Sequence, residues 1–121
     1  MTKAADRQQG GPGLAGRVYR AASPIHGTGC FARVAIAAGE LIGTYAGRPA
    51  RRDGTYVLWV MEEGRAPVGR SGRGLLRWLN HQVPGNARFD GFDLYALRDI
   101  APGEEITFDY GGGIDAVPAA H

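Results

Sequence analysis

Glycine and proline cut this chain so often that no segment has room for a long helix. Twenty glycines and seven prolines fall among 121 residues. Both residues punctuate regular structure: glycine by its freedom at positive φ, proline by its fixed φ and missing N–H. Between the breaks lie runs of four to seven residues rich in β-branched and aromatic side chains. The reading in order is a strand over 17–21, a turn-rich loop over 23–29 and strands over 30–35 and 40–46. A basic loop follows over 47–54. The strongest strand, Thr55 to Met61, is apolar without alternation, as in a strand covered on both faces. Residues 62–74 read as loop and 75–79 as one short helical turn. Two strands, 86–89 and 92–98, flank the hairpin dipeptide Asp90-Gly91. A last strand runs from Ile106 to Tyr110, and residues 111–121 show no pattern. The fold class expected is mainly β, built of several small sheets with one short helical turn.

The length fits one domain, with residues 1–16 read as a flexible tail and 17–121 as the folded unit. No apolar run approaches membrane-spanning length, and no apolar segment of signal-peptide type opens the chain. A cytoplasmic protein without membrane contact is therefore expected, or one secreted into a host if the source is a bacterial pathogen. Cys30 is the single cysteine, which excludes an intrachain disulfide and a cysteine-rich zinc site. The net charge of +2 is too small to argue for direct nucleic-acid binding. Lys3 is the only lysine, and every other basic residue is arginine. Together with the abundant alanine and glycine, that bias suggests a GC-rich, bacterial genome.

Two odd peptides stand out against this background. One is Leu79-Asn80-His81, followed by Pro84 and Asn86. The other is Glu104-Glu105-Ile106-Thr107-Phe108-Asp109-Tyr110, which runs straight into three glycines. In order and separation the pair resembles the core of a SET domain, the family of protein lysine methyltransferases that use S-adenosylmethionine. The resemblance spans residues 17–110 and comes nearest to small stand-alone viral and bacterial members without cysteine-rich flanking modules. It implies a β-clip of small sheets, its C-terminal strand threaded beneath an earlier loop in a pseudoknot.

The resemblance also implies site residues. Tyr110 matches the catalytic tyrosine, which also contacts the cofactor. The Gly27-Thr28-Gly29 loop matches the one holding the methionine part of the cofactor; taken alone, a Gly-x-Gly is as readily a plain turn. Asn80 matches the side chain that meets the cofactor's amino-acid end, and His81 the backbone that meets its adenine. Without the partner motif both would read as a helix cap and a packed histidine. Tyr56 is a further cofactor contact. Tyr45, Phe89 and Phe108 match the lining of a channel for the substrate lysine. Asn86 matches the residue tying the two motif blocks together. Trp59 and Trp78 read as core, and Glu105 and Asp109 as structural or surface residues.

The function implied is methyl transfer from S-adenosylmethionine to a lysine side chain, without a metal. The expected partner is a basic protein or peptide: a histone, a histone-like protein or a ribosomal protein. A homodimer is one way to close the site, because the C-terminal tail is short. Phe108 lacks the hydroxyl that would hold a blocking water, so the expected product is di- or trimethyl-lysine. The rival expectation is a non-catalytic SET-like module that binds basic peptides.

Overall fold

The computed structural model describes residues 13–61, 63–109 and 116–118, with side chains described through Asp109. Residues 1–12 of the expected tail lie outside them. The first element of the described residues is one helical turn, α1 (Leu14–Arg17), where a loose tail was expected up to residue 16. Leu14 explains the turn: its side chain packs on the core and approaches Gly43 in the strand beneath.

Eleven strands follow among the described residues. They are β1 (Val18–Ala22), β2 (Thr28–Ala32), β3 (Leu41–Thr44), β4 (Gly47–Ala50), β5 (Val57–Val60), β6 (Val68–Gly72), β7 (Asn80–His81), β8 (Ala87–Asp90), β9 (Asp93–Ala96), β10 (Glu105–Phe108) and β11 (Ala116–Pro118). One sheet has the order β1-β2-β10-β8-β9-β3, with β7 also pairing β10. The second has the order β11-β5-β6-β4. The expected hairpin is present: β8 and β9 pair around Gly91, which takes the positive φ of 64° that its turn requires.

Three segments differ from the sequence reading. Residues 47–50 and 68–72 were expected as loop and instead pair as β4 and β6. Residues 116–118, expected without structure, pair with β5 as β11. The expected helical turn is there as a 3-10 turn over Leu75–Trp78, but α1 makes a second one.

The core gathers Val18, Cys30, Ile36, Ile42, Leu76, Leu94, Ile100 and Ile106, all nearly inaccessible to solvent. Each large apolar side chain so buried contributes about 1.5–3 kcal/mol. Trp59 and Trp78 stay half-buried, contrary to the expectation that they are core. Trp59 gives its indole N–H to Asp53, and Trp78 lies under two arginines. Arg70 of β6 joins the two sheets: its guanidinium donates to the Tyr45 carbonyl at 2.8 Å and lies 3.9 Å from the centre of the Phe92 ring.

Strand β10 is the hub. It pairs antiparallel with β2 and parallel with both β7 and β8. The loop over 82–86 holds its end: Gln82 N–H donates to Phe108 O at 3.1 Å, and Asn86 N–H to Thr107 O at 3.1 Å. Gly85 is the closest approach, since a Cβ there would sit 2.7 Å from Phe108 Cα. The strand is thus bound against an earlier loop, as the threaded crossing requires. No described helix is long and apolar enough to cross a membrane.

Candidate active site

The strand β7 has two residues, and the chain around it faces two ways. Leu79 borders an apolar cavity, while Asn80 reaches the glycine loop.

On the loop side, Gly27 adopts φ 45° and has no heavy atom within 4 Å of where a Cβ would lie. Backbone there is open to a ligand's close approach. Thr28 and Gly29 begin β2. Gly29 is confined, for its Cβ would fall 2.3 Å from the Glu105 carboxylate and 2.9 Å from Ser23 Cβ. Asn80 is buried, and its Nδ2 donates to His26 O at 3.0 Å, Thr28 O at 3.3 Å and Glu105 Oε2 at 3.0 Å. Ser23 Oγ donates to the same carboxylate, 2.9 and 2.8 Å from its two oxygens. Ser23 Oγ also accepts from the N–H of Ile25 at 2.9 Å, which fixes the start of the loop.

His81 is paired with Phe108 in the parallel β7–β10 ladder. Its Nε2 lies 3.5 Å from Asp109 Oδ1, and its ring meets Phe108 edge-on at 6.3 Å. Asn86 ties the two motif blocks together as expected. Its Oδ1 accepts from Thr107 N–H at 2.8 Å, and its Nδ2 donates to Glu105 O at 2.8 Å.

On the cavity side, Tyr45, Tyr56, Phe89 and Phe108 line one space with Leu76 and Leu79. The Tyr45 and Phe89 rings meet edge-on at 6.0 Å, and Phe89 meets Phe108 edge-on at 5.5 Å. Tyr45 donates its hydroxyl to Tyr56 O, and burial pushes its pKa up to about 12, so it remains a donor throughout the neutral range. Tyr56 is partly exposed and packs edge-on against Trp78 at 5.4 Å. Among the described residues, Arg77 is the only charged one of this lining.

The structure brings Gly27, Thr28 and Gly29 together with Asn80, and Tyr45, Phe89 and Phe108 around one cavity; Tyr56, expected as a cofactor contact, lines that cavity with them. Tyr110 lies outside the described residues. Sequence reasoning left Glu105 as a structural or surface residue, and it did not single out Ser23 or Arg77. Strand alternation carried a signal for the first, since Glu105 and Thr107 fall on one side of β10 and Thr107 pairs with Asn80. For Ser23 and Arg77 the sequence held no comparable sign.

The residues fit an amino-acid ligand on the loop side. They offer open backbone beside a glycine and a carboxamide, with the Ser23 hydroxyl and the Glu105 carboxylate behind it. Among the described residues no cluster of three His, Cys, Asp or Glu side chains is placed to hold a metal ion.

Comparison with known proteins agrees with this architecture. The SET domain family model matches residues 27–111, and the chain belongs to that family. It is 31% identical to the H3 lysine-4-specific histone-lysine N-methyltransferase of Emericella nidulans, over 74% of this chain and 9% of that protein. Its identity to the enzyme of the same description from Saccharomyces cerevisiae is also 31%, over 77% of this chain and 11% of that one. The chain thus spans about a tenth of the length of these relatives. Among solved structures, it is similar in fold to the methyltransferase domain of human histone-lysine N-methyltransferase SETMAR. The TM-score is 0.64 at 21% identity, covering 78% of this chain and 46% of that one. The Neurospora SET domain protein DIM-5, a histone lysine methyltransferase, gives a TM-score of 0.64 at 22% identity, covering 77% and 51%. The bacterial source expected from the arginine bias gains no support from the fungal and plant relatives.

Proposed function

We propose that this chain is a protein-lysine N-methyltransferase that uses S-adenosylmethionine and adds two or three methyl groups. The observation that carries the reading is the back-to-back placement of the two groupings. Leu79 borders an aromatic cavity, and the next residue, Asn80, bonds to the glycine loop. The relatives described as histone-lysine N-methyltransferases support the same reading.

The cofactor supplies a methyl group on a sulfonium, already activated for transfer. The chain's own residues bind and align. Gly27, Thr28, Gly29, Asn80, Tyr56 and the backbone of His81 hold the cofactor. Tyr45, Phe89 and Phe108 receive the lysine stem. A free lysine amine has a pKa of about 10.4, so it must lose a proton before it can attack. An apolar cavity whose only charge among the described residues is the Arg77 cation disfavours the ammonium form. Tyr110 is proposed to orient the reacting groups through its hydroxyl. The substrate is a basic, lysine-bearing protein of histone or histone-like chemistry.

Incubation with labelled S-adenosylmethionine and candidate basic proteins, followed by mass spectrometry, tests this. Label should appear on lysine and fall away in Tyr110→Phe, while S-adenosylhomocysteine affinity is kept. Binding of basic peptides with no methyl transfer at any tested pH would instead favour the non-catalytic module.

A further inference from the structure

Asn80 and Glu105 hold each other in a way that the motif match does not explain. The nitrogen of the Asn80 carboxamide has two hydrogens and three acceptors around it: the carbonyls of His26 and Thr28, and the Glu105 carboxylate. Three acceptors at one end of an amide define that end as the nitrogen. No described residue donates to Asn80 Oδ1. The oxygen is therefore the group left for a ligand, and an oxygen acceptor takes a donor such as an ammonium.

We propose that Glu105 is a positioning residue that fixes the Asn80 amide with its oxygen outward and docks the 23–29 loop at the same time. Its carboxylate accepts from Asn80 Nδ2 and from Ser23 Oγ, and it fills the space a side chain on Gly29 would need. Ser23 in turn receives the N–H of Ile25 at 2.9 Å and of His26 at 3.4 Å. One carboxylate thus joins the strand β10, the start of β2 and the amide of β7. Without it, the amide keeps only the His26 and Thr28 carbonyls, and both belong to the loop that Ser23 then no longer docks, so its NH₂ end, which repels an ammonium, is held away from the ligand less firmly.

This rests on the cofactor reading above, and the test separates the two. Calorimetry would compare S-adenosylhomocysteine with its desamino analogue, in which hydrogen replaces the α-amino group. The proteins are wild type, Glu105→Gln and Glu105→Ala, each checked for an intact fold by its thermal transition. Wild type should prefer the amino ligand. Glu105→Ala should lose on the order of tenfold for the amino ligand and little for the desamino one, collapsing the preference. Glu105→Gln keeps an acceptor oxygen of the same reach and should retain part of the preference. Equal weakening for both ligands, or an unchanged ratio in a folded Glu105→Ala or Glu105→Gln protein, overturns the proposal by reducing Glu105 to loop support. If wild type binds neither ligand, the cofactor reading itself fails.

Discussion

Tyr45 donates its hydroxyl to the carbonyl oxygen of Tyr56 across 2.5 Å, linking the end of β3 to the entry of β5 on either side of the aromatic cavity. The same carbonyl also accepts from Gly72 N–H at 2.8 Å. Removing the hydroxyl therefore leaves the acceptor with one donor. Tyr45→Phe is expected to cost only about 0.5–1.5 kcal/mol of stability, the range of an ordinary hydrogen bond. Its effect on turnover should be larger than on the fold, because the Tyr56 side of the cavity loses its tether. Urea unfolding beside steady-state kinetics measures both. A stability loss without any change in kcat/KM would show that the tether does not shape the cavity.

Alkaline pH should destabilise the fold through two buried groups. Burial, with a smaller push from Glu105, drives the Cys30 thiol from 9.0 up to about 12. Burial, with Tyr56 adding to it and Arg77 opposing, drives Tyr45 from 10.0 up to about 12. Below pH 9 both are neutral in either state, and stability does not depend on them. Above that, the unfolded chain releases protons that the fold retains, so stability falls between about pH 9 and pH 12. Cys30→Ala should flatten the first part of that fall. Chemical unfolding at pH 8 to 10.5 checks it, and identical slopes for both proteins would contradict it.

Asn86 spends both ends of its carboxamide on β10, accepting from Thr107 N–H and donating to Glu105 O, each at 2.8 Å. The side chain is buried, so Asn86→Ala leaves a buried donor and a buried acceptor unpaired. A loss of about 2–6 kcal/mol is expected, from about 1–3 kcal/mol for each orphaned group. Asn86→Asp keeps the acceptor and loses the donor, so it should fall between wild type and alanine near neutral pH. Thermal unfolding of the three proteins tests the order. An alanine variant as stable as wild type would mean that water replaces both bonds.

The parts of the fold legible in the sequence were those with an apolar signal. Thr55 to Met61 reads as a strand covered on both faces, and Val57–Val60 within it form β5. Asp90-Gly91 reads as a hairpin turn and is one. The strands β4 and β6 were not legible, because Gly47, Gly69 and Gly72 look like loop punctuation. Their glycines serve close packing instead. A Cβ on Gly47 would sit 1.8 Å from Ser71 O, and one on Gly69 would meet the Trp59 ring at 2.6 Å. The indole lies across its cross-strand partner Gly69, so the strand is apolar through its neighbour's side chain and not its own. In the site, the motif residues were legible by position. The Glu105–Ser23 link was not, because it joins residues 82 apart in sequence and needs the β2–β10 register to form.

On the proposed function, Phe108 is expected to set how many methyl groups a lysine can receive. The side chain is buried at the cavity wall, edge-on to Phe89 and next to the His81 ring. Neither phenylalanine offers a hydroxyl, so a water in that space has one fewer partner than beside a tyrosine. Such a water leaves readily, and a methylated amine can rotate into its place and present its lone pair again. Wild type is expected to carry a peptide through to di- or trimethyl-lysine. Phe108→Tyr adds an oxygen that holds the water, and should shift the product toward monomethyl-lysine while changing the first transfer less. Intact-mass time courses of one peptide, with cofactor in excess, follow the ladder for both proteins. A wild type that stops at one methyl, or a variant with an unchanged ladder, would assign Phe108 to packing alone.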